Sequence, residues 1–99
     1  MDSLKQAALF ALRAVVDPEV GLDVVSMGLI YGIDTSKEEL RVAFTLTSRG
    51  CPLGATISGM AQQALEGVAG SRRVTLVPVW DPPWSPAMIS EEGRRALRL

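Results

Sequence analysis

Histidine is absent from this sequence, and cysteine occurs once, at position 51. The first absence removes the usual general base of thiol and serine hydrolases and the commonest metal-binding side chain. The second rules out an intrachain disulfide, as in a chain kept in a reducing cytoplasm. It also leaves one copy of the chain with a single sulfur, where structural zinc or an iron-sulfur cluster takes about four ligands.

An excess of either charge is missing too: ten Lys and Arg stand against eleven Asp and Glu, a net charge of -1. No global field attracts phosphate backbones, so nucleic acid is not an expected partner. The longest nearly apolar stretch, AALFALRAVV, is broken by Arg13. It falls well short of the ~20 residues that span a bilayer, so no membrane role is expected. The N-terminus lacks the basic segment, apolar centre and small-residue cleavage site of a secretory signal, and the expected location is the cytoplasm.

What is present suits one domain over residues 1–99. At 47% hydrophobic content, a chain of this size buries roughly two thirds of its unfolded surface, enough for one core. Ser3 and Gln6 form a capping box, and Leu4, Ala8, Ala11, Leu12 and Val15 recur at helical spacing, predicting a helix over 3–16. Pro18 disfavours helical geometry at Asp17, and the pair can open a new turn. The stretch DPEVGLDVVSMG reads as irregular.

Residues 29–34 and 40–47 read as strands, with Val42, Phe44 and Leu46 alternating with Arg41, Ala43 and Thr45. The polar turn TSKEE makes them an antiparallel hairpin. Leu53, Ile57, Met60, Ala61, Ala64, Leu65 and Val68 then return to helical spacing, with Gly67 or Gly70 as the stop. Residues 72–80 are a third strand that Pro78 confines to an edge or strand end. The crossover through the helix makes strands two and three parallel. Ser85 before Pro86, and Ser90 before Glu91 and Glu92, cap short terminal helical segments, with Arg94, Arg95 and Arg98 near the final negative end. The expected fold is a small α/β (α+β) domain in the order α-β-β-α-β, with a three-stranded mixed sheet.

The one cysteine stands in SRGCPLG, between the second strand and the second helix. With Pro52 as the first helical residue, Cys51 becomes the N-cap, where unpaired N–H groups and the positive end of the helix dipole favour the thiolate. Gly50 permits a sharp turn, and Arg49 folded back adds positive charge. Free cysteine is also commonly a small buried hydrophobe, and position alone leaves both readings open. Ligand arithmetic points to a site shared with a second copy, a client or a scaffold.

Asp17, Glu19, Asp23 and Asp81 are candidate hard-metal ligands or an acid-base pair, with caps and solvated loop carboxylates the commoner role for such residues. Trp80 and Trp84 bracket DPP and either stack on a partner or pack the loop onto the sheet. Arg72 and Arg73 read as solvated surface rather than as contacts for an acidic partner.

Three segments, DPEVGLDVVSMGLIYGI (17–33), TLTSRGCPLG (45–54) and VWDPPWSPAMIS (79–90), resemble in order and spacing the family of small iron-sulfur assembly factors. That family includes SufT, the PaaD protein of phenylacetate degradation operons and the eukaryotic cytosolic iron-sulfur targeting factor. The resemblance implies a three-stranded mixed sheet and a non-enzymatic role in maturing or delivering iron-sulfur clusters. Cys51 matches the motif cysteine and would ligate iron or a cluster transiently. Asp17, Pro18 and Glu19 match an acidic block, and Asp81, Pro82, Pro83 and Trp84 a late loop. Arg49 stands where many members carry proline. PaaD-type proteins carry a C-terminal cysteine-rich segment that does not occur here, which makes a SufT-like single domain the nearer analogy. The implied partners are client apoproteins and assembly scaffolds, with a homodimer as one way to complete a cluster. Two other readings stay open: a metal-free adaptor that recruits clients, and a thiol enzyme or sulfur carrier.

Overall fold

The computed structural model describes residues 3–18, 20–47 and 54–98. Helix α1 spans Ser3–Leu12, strand β1 Ile30–Thr35, strand β2 Glu39–Phe44, helix α2 Gly54–Ala69 and strand β3 Arg73–Pro78. A short 3-10 helix at Pro86–Met88 and helix α3, Glu91–Leu97, complete the described chain. The expected order and mixed sheet are both found. β2 lies in the middle, antiparallel to β1 and parallel to β3.

Alternation along β2 divides the sheet into two faces. Leu40 and Val42 point inward and are fully buried. With Ala8 and Leu12 of α1 and Ile57, Ala61 and Leu65 of α2 they form one core, so both long helices cover the same face. On the opposite face Glu39 carries an ion pair to Arg41 at 3.4 Å and accepts a hydrogen bond from the Thr75 hydroxyl at 2.7 Å. Gly70, with φ of +66°, ends α2 in the left-handed conformation that glycine adopts without Cβ strain. Pro78 ends β3, the role expected of it.

Four local readings change. α1 stops at Leu12 rather than residue 16, because Ala14 and Val15 turn to three-residue hydrogen bonds and Val16 pairs with Asp23 in an isolated bridge. Met60, read as a core position, is 39% exposed. The irregular stretch contains a well-formed turn: the Asp23 carboxylate accepts from Ser26 N–H at 2.9 Å, while Leu29 N–H and Gly28 N–H reach back to the Val24 and Val25 carbonyls at 3.1 Å each. That is an Asp-capped turn closed by a Schellman-type pair around Gly28, φ +78°. Finally, Arg94 does not serve the C-terminal end of α3. Its guanidinium reaches backwards, donating to Ala87 O at 3.1 Å and Ile89 O at 3.3 Å, and Arg95 pairs with Glu91 at 2.7 Å. Among the described residues no helix is long and apolar enough to cross a membrane.

Candidate functional site

Ile30 pairs with Phe44, and Phe44 pairs with Pro78. The start of β1 and the ends of β2 and β3 therefore lie at one end of the sheet. Thr45 N–H extends the ladder to Leu29 O at 2.8 Å, and Val79 N–H extends it to Phe44 O at 2.7 Å. Residues 20–29 arrive at this end, residues 45–47 continue from β2, and residues 79–90 leave it from β3. In open sheets with parallel strands, ligands are met at the carboxyl ends of those strands.

Cys51, with its neighbours Arg49, Gly50 and Pro52, lies outside the described residues, as does Glu19. The flanks are described. Thr45, 1% exposed, continues the pairing of β2 beyond Phe44, and α2 begins at Gly54. Between Leu29, Phe44 and Thr45 on the sheet side and Ile57 and Ala61 of α2, an apolar cleft offers only about 10 Å³ of free space. That is room for one water at most, so this cleft encloses no small substrate.

The late loop is tied down at four points. Trp84 Nε1–H donates to Met27 O at 2.7 Å, and Ser90 N–H donates to Ser26 O at 2.8 Å. The Tyr31 hydroxyl donates to Pro82 O at 2.7 Å, with Met88 Sδ 3.5 Å from the same oxygen. Gly28 lies so close to Met88 that a Cβ there would stand 2.3 Å from its carbonyl oxygen. Of the two roles open to Trp84, packing onto the body of the protein is the observed one. The Asp81–Pro82 peptide is cis, and Asp81 is exposed on the loop.

Asp17 is not a solvated carboxylate. It is 6% exposed; its N–H donates to Leu22 O at 2.9 Å, and its carbonyl accepts from Gly21 N–H at 2.7 Å and Val20 N–H at 3.3 Å. It opens a tight turn, as its position before Pro18 predicts. Asp23 is occupied as a cap. Among the described residues no three acidic or sulfur side chains are grouped to hold a metal, so Asp17, Asp23 and Asp81 do not converge as hard-metal ligands. Arg72 joins secondary structure, donating to Ser36 O at 2.8 Å and Ala69 O at 3.4 Å.

Tyr31 and Gly28 were not singled out from the sequence. Both lie inside the first resembling segment, and Gly28 ends a run that begins with a capping Asp, which is a turn signal. Tyr31 has no such signature, since its role follows from a shift of register between Ile30 and Gly32.

Comparison with known proteins agrees with the geometry. The chain is 37% identical over 99 residues to an Fe-S protein maturation auxiliary factor, YitW, of Bacillus subtilis, covering 99% of this chain and 97% of the relative. It is 37% identical over 84 residues to the Fe-S protein maturation auxiliary factor SufT of Staphylococcus aureus, covering 84% and 96% respectively. Among solved structures, a domain of unknown function from Bacillus anthracis superposes with a TM-score of 0.90 at 29% identity, over 98% of this chain and 93% of the other. The model of the family described as iron-sulfur cluster assembly protein matches residues 5–76, and on that match together with the near full-length relatives the chain belongs to this family.

Proposed function

We propose that this protein delivers iron-sulfur clusters, or the iron for them, to client apoproteins, with Cys51 as the transient ligand at the sheet end where the three segments meet. That convergence is the observation that carries the reading. The ends of β2 and β3 and the start of β1 lie together, and the two loops beside them are fixed to each other through Trp84 and Ser90, which supports a site at this end. The relatives' names, auxiliary factors of Fe-S protein maturation, support a role that is not catalytic. A cluster takes about four ligands, and one copy of this chain has a single cysteine and no histidine. The remaining ligands come from outside one chain: a second copy, the scaffold that hands over the cargo, or the client that receives it. Weak, shared ligation suits a carrier, because cargo held by a full protein cage would not be passed on.

Anaerobic reconstitution with iron and sulfide tests this reading, with absorption spectra and a sizing column run on wild type and Cys51→Ala. The expected result is a sulfide-to-iron chromophore in wild type alone, eluting at the mass of a dimer. Equal absence of colour from both folded proteins would overturn autonomous cluster binding and leave the metal-free adaptor.

A further inference from the structure

The end of α1, the turn closed by Asp23 and the start of α3 leave between them a depression of about 300 Å³, lined by Arg13, Val25, Ser26, Ser90, Glu91 and Glu92. That is the lower end of the range for small-ligand sites. The hydrogen bond from Ser90 N–H to Ser26 O, at 2.8 Å, joins two of its walls. Some lining groups are already engaged: the Ser90 hydroxyl accepts from Gly93 N–H at 3.0 Å, and the Glu91 carboxylate takes Arg95 at 2.7 Å. Arg13 and Glu92 are not. Opposite in charge and carried on different parts of the fold, they line the same space, yet neither forms an ion pair among the described residues. Ser26 is only 9% exposed, and its N–H and carbonyl are both bonded. Its hydroxyl bonds to no described group, while no fully buried side-chain oxygen among the described residues lacks a partner. The hydroxyl therefore keeps an opening, and the depression that Ser26 lines is where it opens.

We propose that this depression binds a free α-amino acid with a small polar side chain, its carboxylate on Arg13, its ammonium on Glu92 and a polar atom on the Ser26 hydroxyl. A zwitterion satisfies a cation and an anion that do not satisfy each other, and it adds no net charge to the site. A simple anion or a simple cation would leave one of the two without a partner. Val25 is the one apolar residue in the lining, so the site offers little to a large hydrophobic side chain. No lining residue belongs to the thiol segment, and the proposal goes beyond the delivery role without resting on it.

The test titrates L-serine into the isotope-labelled full chain and follows the NMR amide signals of Ser26, Ser90 and Gly93. Two charge-assisted hydrogen bonds at an exposed site correspond to a dissociation constant on the order of 1 mM. N-acetyl-L-serine lacks the ammonium and L-serinamide lacks the carboxylate, and each is expected to bind about tenfold more weakly. Arg13→Gln is expected to weaken L-serine about tenfold and to leave L-serinamide unchanged; Glu92→Gln weakens L-serine equally and leaves N-acetyl-L-serine unchanged. That crossed pattern assigns each charge of the ligand to its partner. Both side chains are exposed, so neither substitution disturbs the core, and unshifted signals elsewhere in the spectrum check the fold. No saturable shift with L-serine at tens of millimolar overturns the proposal, as does equal binding of the three compounds or wild-type affinity in either variant. Cys51→Ala is expected to titrate as wild type does, which keeps this outcome separate from that of the reconstitution.

Discussion

Gly28 holds a φ of +78° with Met88 packed where a side chain would begin, at 2.3 Å from the ideal Cβ position to the carbonyl oxygen. Any other residue pays left-handed backbone strain and must also push the Pro86–Met88 segment away. Gly28→Ala is expected to cost about 2–3 kcal/mol, lowering the melting temperature by roughly 10 °C or more for a domain of this size. Circular dichroism melts check this. A loss under about 1 kcal/mol would mean that the C-terminal segment is not seated as described. Trp84 offers a milder probe at the same joint. Trp84→Phe keeps an aromatic ring but removes the Nε1–H bond to Met27 O, and leaving that carbonyl unpaired is expected to cost about 1–2 kcal/mol. If Cys51 works as a ligand rather than as packing, Cys51→Ala is expected to show the wild-type melt, and a function lost with it would be chemical in origin.

At the scale of elements, α2 provides a test with opposed signs. Gly67 lies inside the helix with open space around its Cβ position, whereas Gly70 follows the last residue with φ of +66°. Gly67→Ala is expected to stabilise by about 0.5–1 kcal/mol through helix propensity. Gly70→Ala is expected to destabilise by about 1 kcal/mol through left-handed strain. Urea unfolding curves at constant slope read both, and equal signs would contradict the assigned end of the helix. Much of this architecture was legible in the sequence. Leu40 and Val42 alternate with charged neighbours, and apolar residues recur at helical spacing through α2, because burial imposes a different period on strands and helices. What could not be read depended on partners distant along the chain. α1 ends early because Val16 finds Asp23, and the register shift at Tyr31 exists only in the paired sheet. The Asp23 turn was within reach, since a capping Asp followed by a glycine five residues later carries its own signal.

For the whole molecule, sheet topology explains why the proposed site can draw on three separated segments of sequence. An antiparallel hairpin followed by a parallel crossover brings the start of β1 and the ends of β2 and β3 to the same end. Segments joined to those ends start from the same place, wherever they lie along the chain. The resemblance had marked these segments as sequence blocks. That the strand ends joined to them lie together could not be read from them, since it follows from strand pairing. The central claim is that the Cys51 thiol is the group through which cargo passes. Its most direct test is transfer itself. Wild type and Cys51→Ala, each exposed to iron and sulfide anaerobically and then desalted, are mixed with an apo iron-sulfur enzyme whose activity reports cluster content. Rapid activation by wild type, with activation by Cys51→Ala at the level of buffer alone, is the predicted result; equal activation by the two folded proteins would contradict it.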